Sequence, residues 1–515
     1  MTKPVEKNDY AELAALLKEF HAFHKPIVKD GVPDYSAAAM KRQSRDLEKY
    51  RRRLEAIDCG AWPLSKQVDY HLVRAQMNGL DFQHRAYRPW SRDPAFYVTL
   101  SFQFGPKMHG AISSWALLSK DREPDDLEVK LKAVPAILDQ ARENLTEAAG
   151  DLTMLGIRSK EREADVYRKC IDAMEERRSP LADEARKALR ATESFGKWLK
   201  QNRKKMNAPS GIGIENYNWH LKYVQLVPYD WDEIMTISQR EYSRAIAMMK
   251  LEEHRNRKLP RMEPERSGEG LMKLGMKARR ELWRFLQEGE VLTPPDYMKP
   301  NMKPRKPGKP PRRPGKLDYF DNILCRDPLP LIPHDVVGHT PDGIREERDR
   351  RPIRGAGILH FIPSFRAEGF ATGIEEILMM TGMLDKRRRS RELTYNLVAH
   401  RAARSISDLK MHSNEFTLME GFRYNVERTS YGWVRKDSPV MWHDIELYMR
   451  QPGYGTAYTV GATQLQQLIA DRAMQQGKRF NLRSFMDRFL SLGMIPVALA
   501  RWEMTGLDDE VRRLW

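Results

Sequence analysis

Residues 333–343 read PHDVVGHTPDG, and how its two histidines are presented decides what kind of body the rest of the chain must build. His334 and His339 stand five apart, with Asp335 directly after the first and Gly338 directly before the second. A divalent metal bound for hydrolysis needs two or three imidazole or carboxylate ligands, an open coordination position and a base beside the water. The segment supplies two imidazoles and a carboxylate. Helical zinc hydrolases usually space the histidines four apart, with a glutamate after the first. Five apart on a regular α-helix is about 140°, so convergence requires a π-type turn or a kink at Gly338.

A further ligand has to come from elsewhere. Residues 365–385, FRAEGFATGIEEILMMTGMLD, predict a helix whose Phe370, Ile374, Ile377 and Leu378 face a core. Glu368 then lies at its N-terminal end as a candidate ligand. Glu375 and Glu376, one or two turns further in, are alternatives, although a carboxylate there more often faces solvent.

Outward from this segment the chain reads as helical. Leu13, Leu16, Leu17 and Phe20 recur at helical spacing, as do Met40, Leu47, Tyr50, Leu54 and Ile57. Residues 230–257 open with acids and close with basic residues, the charge order a helix dipole favours. Strand candidates are few: AFYVTLSFQF at 95–104 and, more weakly, WHLKYVQLV at 219–227. The expected fold is mainly α, with at most a few short strands. Glycine and proline near 207–214 mark a seam between an N-terminal helical region, 1–210, and a region bearing the candidate site, 211–515.

The 515 residues carry a net charge of +17. The densest basic run, 299–316, has eight basic residues and six prolines but no aromatic to stack on a base, so it reads as an extended loop rather than a nucleic-acid site. No apolar run approaches the roughly 18–20 residues of a membrane span. Three scattered cysteines suggest neither a disulfide framework nor a thiolate cluster. Charged residues interrupt the N-terminus where a signal peptide would be apolar. These features predict a cytoplasmic protein with no nucleic-acid or membrane partner, and leave the oligomeric state open.

Four ordered motifs between about 212 and 510 resemble a bacterial family known as domain of unknown function 885, which is similar to all-helical zincin peptidases such as angiotensin-converting enzyme, neurolysin and Taq-type carboxypeptidases. HDVVGH stands where the family resembles H-E-x-x-P-G-H, and EGFATGIEEIL answers E-G-W-A-L-Y with a following E-x-x-L. Arg401, Arg404, Asp408 and His412 match R-x-x-R-x-x-x-D-x-G-x-H, and PGYGTAYTVG at 452–461 matches P-G-Q-A-x-A-Y-K-x-G. The resemblance implies a large zincin-like helical body with a central cleft, His334, His339 and Glu368 as ligands of a divalent metal, and Asp335 in place of the catalytic glutamate. The proline before the glycine is absent.

Three readings follow. The first is a peptidase- or amidase-like metallohydrolase acting on a small molecule or short peptide, with zinc as the metal and Asp335 as base. Tyr458, His412 or an arginine would steady the oxyanion, and Arg401, Arg404 and Tyr454 would bind a substrate carboxylate. The second draws on the likeness of HDVVGHTP to the H-D-x-x-G-H-x-P of aromatic amino-acid hydroxylases, whose facial triad holds iron; it moves the third ligand to Glu375 or Glu376. The third is a non-catalytic helical homologue.

Overall fold

The computed structural model describes residues 9–101, 107–113, 125–299 and 317–515. The basic proline-rich run therefore lies, beyond Lys299, outside the described residues. Three N-terminal helices, α1 (Asp9–Phe23), α2 (Ala37–Glu55) and α3 (Leu64–Phe82), precede α4 (Leu127–Asn144), α5 (Gly150–Glu176) and α6 (Ala182–Asn202). Next come α7 (Trp231–Arg255) and α8 (Gly268–Glu288), then the site-bearing α9 (Ser364–Leu378), α10 (Ser390–His412) and α11 (Tyr454–Gln476), with shorter helices between and after them. The body is mainly α. Among the described residues there are four two-residue strands: β1 (Val28–Lys29) pairs antiparallel with β2 (Val32–Pro33), and β3 (Leu100–Ser101) pairs parallel with β4 (Ile112–Ser113).

The periodic apolar residues do what their spacing requires. Leu13, Leu16, Leu17 and Phe20 are fully buried on α1, and Met40, Leu47 and Leu54 are buried on α2. Helix α7 begins at a capping box, Asp230 accepting from the Glu233 N–H while Glu233 accepts from the Asp230 N–H, each at 2.9 Å. Both strand expectations need correction. Pro94–Tyr97 is a 3-10 turn, only Leu100–Ser101 of that stretch pairs as a strand, and 102–104 are outside the described residues. The segment 219–227 ends the helix Ile214–His220 and continues as a π-turn, Leu221–Gln225. Leu221 and Val224 are both buried, a three-residue spacing that suits a helix, and Leu226 stops the turn at φ 53°.

Among the described residues the two largest cores divide most of the helices, and a third packs Leu393, Met411, Tyr448 and Tyr458 together. The larger joins residues from Leu13 to Tyr87 with residues from Ile212 to Leu514. The smaller runs from Phe96 to Met206 and contains the inward faces of α4, α5 and α6. Buried ion pairs tie the early helices to the later ones, among them Arg450 with Asp93 at 2.8 Å and Arg354 with Asp69 at 2.7 Å.

Helices α9, α10 and α11 form the centre. Almost every residue of α10 is buried, including Arg401, Arg404, Asp408 and His412, so its polar groups must find partners inside the protein. Helices α9 and α11 cross at a pair of glycines. A Cβ on Gly369 would overlap the backbone of Gly461, and one on Gly461 would overlap the Phe365 carbonyl. The start of α11 is held by α10: buried Asp408 accepts from the Gly455 N–H at 2.6 Å and from the Tyr217 hydroxyl at 3.2 Å. Burial pushes the Asp408 carboxyl up to about 7, against the opposing backbone bonds.

The glycine crossing predicts that Gly369→Ala costs about 1–3 kcal/mol or more, because neither backbone can retreat. Gly275→Ala, on α8 with open space around it, is expected to be neutral or to stabilise by roughly 0.5–1 kcal/mol. Denaturant unfolding of the two variants checks the contrast, and equal effects would contradict it.

Candidate metal centre

Between the proline before it and α9 beside it, the HDVVGH segment takes a conformation that regular helix propensity would not supply. His334–His339 is a π-turn. Its i→i+5 hydrogen bonding places residues five apart above one another, and His339 Nε2 lies 3.2 Å from His334 Nε2. Gly338 contributes close packing: a Cβ there would lie 2.8 Å from the Ala371 Cβ and 3.0 Å from its Cα. Only a glycine lets the turn settle against α9.

Glu368, one turn into α9, completes the cluster. Its Oε2 is 3.2 Å from His339 Nε2 and 3.6 Å from His334 Nε2. Among the described residues these three side chains are the group whose ligand atoms converge closely enough to hold a metal ion. Burial pushes the Glu368 carboxyl up, but hydrogen bonds with His334 and His339 outweigh it and hold the group below the usual carboxylate range. Its other oxygen, Oε1, accepts from the Tyr454 hydroxyl at 2.6 Å.

Behind His334 stands Glu375. Its Oε1 is 3.0 Å from His334 Nδ1, and Arg401 grips both its oxygens at 2.6 and 2.7 Å. An ionised carboxylate only accepts, so His334 Nδ1 presents its proton to Glu375. A carboxylate on the far nitrogen of a ligating histidine fixes tautomer and ring direction. Burial and Arg401 lower the His334 pKa, while its bonds to Glu368 and Glu375 raise it and prevail. The signal for Glu375 was in the sequence: seven residues beyond Glu368 is about two turns along the same helix face.

The other expected residues divide. Tyr458 lies beside His334, rings 6.4 Å apart and 17° from parallel, and burial raises its hydroxyl well above the ordinary value. Tyr454, expected on substrate, instead holds Glu368. Arg401 and Arg404, expected to bind a substrate carboxylate, are corrected: both are buried, Arg401 is spent on Glu375, and Arg404 pairs with Asp444 at 2.6 Å beneath the Tyr458 ring. His412 is corrected as well. It lies eleven residues along α10 from Arg401, about 16 Å at helical rise, with Nε2 3.0 Å from the Tyr448 carbonyl, and burial holds its pKa down to about 4. Asp335 is exposed and outside the cluster, its Oδ1 accepting from Thr340 at 3.2 Å. Neither Glu375 nor Glu376 reaches the ligand face, since Glu376 pairs with Arg244 at 2.8 and 3.0 Å.

The family model for bacterial proteins of unknown function, DUF885, matches residues 20–260 and 357–504, well over half of the chain. The chain belongs to that family. Glu368, Glu375, Arg401 and both tyrosines fall within the matched DUF885 segments, while the π-turn bearing His334 and His339 falls between them. Two solved structures share the fold. One is a candidate lipoprotein of unknown function from Shewanella oneidensis, at 15% identity and TM-score 0.71, covering 96% of this chain and 99% of that one. The other is a candidate lipoprotein from Colwellia psychrerythraea, at 15% identity and TM-score 0.67, covering 97% and 99%. No curated protein matches this sequence. Among the described residues no helix is long and apolar enough to cross a membrane.

The geometry predicts that Glu375→Gln weakens divalent-ion affinity by about 10- to 100-fold through loss of the His334 anchor, whereas Glu376→Gln leaves it unchanged. Metal titration of folded variants, with circular dichroism as the control, separates the two. Equal affinities would remove Glu375 from this role.

Proposed function

We propose that the protein is a metal-dependent hydrolase of amide bonds in short peptides or small amides, on a helical body of the zincin kind. One observation carries the reading: a π-turn and α9 bring His334, His339 and Glu368 together while Glu375 anchors the back of His334. The separations of 3.2, 3.2 and 3.6 Å are close to the ligand–ligand edges of about 3.3 Å expected for tetrahedral bonds of about 2.0–2.1 Å. This favours zinc. The iron reading favoured Glu375 or Glu376 as the carboxylate ligand, and both have other partners.

When bound, a divalent ion there lowers the pKa of a water and polarises a substrate carbonyl. The chain's residues supply the rest. Tyr454 steadies Glu368 by holding Oε1. Tyr458, kept protonated by burial and by the Glu368 charge, is a donor for the oxyanion that develops on the carbonyl. For Asp335 to serve as base its exposed side chain, which accepts from Thr340, has to turn toward the cluster, where it would take a proton from water and return it to the leaving nitrogen. The carbonyl carbon gains the water oxygen as the carbon–nitrogen bond breaks.

Protein purified without added metal is expected to contain zinc, and His334→Ala and His339→Ala to lose most of it with little change in helical circular dichroism. Unchanged metal content in both variants, or none in the parent, would overturn the proposal. Asp335→Asn is expected to keep the metal and lose turnover of a screened peptide by about 10²- to 10⁴-fold. Full activity in that variant would reassign the base.

A further inference from the structure

Tyr454 stands between the metal centre and a cleft. Tyr454 lines that cleft and also donates to Glu368, so a molecule seated in the cleft abuts the site. Three other lining side chains, unused by the metal centre, carry buried polar atoms without hydrogen-bond partners: both amide atoms of Gln451, Nδ1 of His220 and Nε2 of His360. Buried polar atoms of this kind call for a partner, which water or a ligand in the cleft would supply. Gln451 is 5% exposed, and its amide, one acceptor and one N–H₂ donor, complements the N–H and C=O of a peptide group. The Nδ1 of His360 is engaged by the Gln83 amide at 3.2 Å. His360 and Phe361 are consecutive residues at φ 60° and 55°, a strained backbone of the kind that clusters at ligand sites.

The cleft also has one sign of charge. Lys25 and Lys107 line it and are exposed, Lys107 Nζ donating to the Ser101 hydroxyl at 2.6 Å, whereas Arg450 is held by buried Asp93. Among the described residues no aspartate or glutamate lines it. Burial, followed by the charges of neighbouring histidines and of Lys25, holds His24 down to about 4, and burial with Lys25 and Lys130 lowers His109. Phe82, Trp90 and Phe96 give the cleft an aromatic wall.

We propose that this cleft binds a short peptide or N-acyl amino acid with a free carboxylate and an aromatic or large apolar side chain. Lys25 and Lys107 hold the carboxylate, Gln451 holds the adjoining amide, and the aromatic wall holds the side chain. The assignment rests on the amide-hydrolase reading for the chemistry that follows binding. It relocates the anion site from Arg401 and Arg404, whose guanidiniums are already paired, to lysines at the rim of the cleft.

The test compares calorimetric binding of N-acetyl-phenylalanine and N-acetyl-phenylalaninamide to the full chain, beside turnover of a peptide with a free or an amidated terminus. The acid is expected to bind roughly tenfold tighter than the amide, as a charge-assisted contact provides, and the Lys25→Ala/Lys107→Ala double variant to erase that difference. Gln451→Ala is expected to weaken both compounds alike. Equal binding of acid and amide, binding of neither, or a preference that persists in the double variant would overturn the subsite. Because binding is read without turnover, the two proposals fail separately. A carboxylate preference with no hydrolysis of any peptide would sink the hydrolase reading and leave the subsite, and equal hydrolysis of free and amidated termini would do the reverse.

Discussion

A backbone that closes i→i+5 hydrogen bonds between His334 and His339 superposes two residues that a regular helix would splay by about 140°. Everything at the centre depends on that turn staying in place. Its own hydrogen bonds are not enough, because π geometry is rare outside packed contexts. Close contact supplies the rest: Gly338 lies against Ala371 of α9, and α9 is pressed against α11 where Gly369 meets Gly461. Three glycines thus set three backbones at a distance that larger residues would forbid, and the distance determines where Glu368 sits relative to the imidazoles.

The second constraint is electrostatic. Glu375 and Arg401 are 1% and 2% exposed, and a charge removed from water this completely needs an opposite charge with good geometry. Their two-point contact provides it, and the remaining capacity of Glu375 is directed at His334. Breaking such a pair by deleting one partner typically costs about 3–5 kcal/mol, so the anchor of the metal centre also contributes to the stability of α10. Asp408 has a comparable structural role nearby, joining α10 to the start of α11 and so positioning both Tyr454 and Tyr458.

Much of the fold could be read from the chain. The apolar spacing on α1 and α2, the charged ends of α7 and the scarcity of alternating segments all lead to a helical body, since a buried stripe at helical period has few other solutions. The stretch 219–227 misled because a short apolar run carries little period, and its π-turn depends on neighbours. Within the site, His334, His339 and Glu368 were recognisable from residue type, spacing and motif order. The arginines were recognisable as a motif, but a guanidinium on a helix looks the same in sequence whether it greets a substrate or a buried carboxylate.

What the sequence determined by itself, then, was the helical class, two histidines and a short choice of glutamates as candidate metal ligands, and the requirement that five-residue spacing break regular α geometry. These follow from periodicity and from side-chain chemistry, which are local. The tertiary structure alone decided that Glu375 backs His334, that Arg401 and Arg404 face inward, that Asp335 stands outside the cluster, and that Lys25, Lys107 and Gln451 share a cleft ending at Tyr454. Those outcomes depend on which helices meet and how closely, and residues that lie from tens to hundreds of positions apart in the chain carry no local record of that meeting.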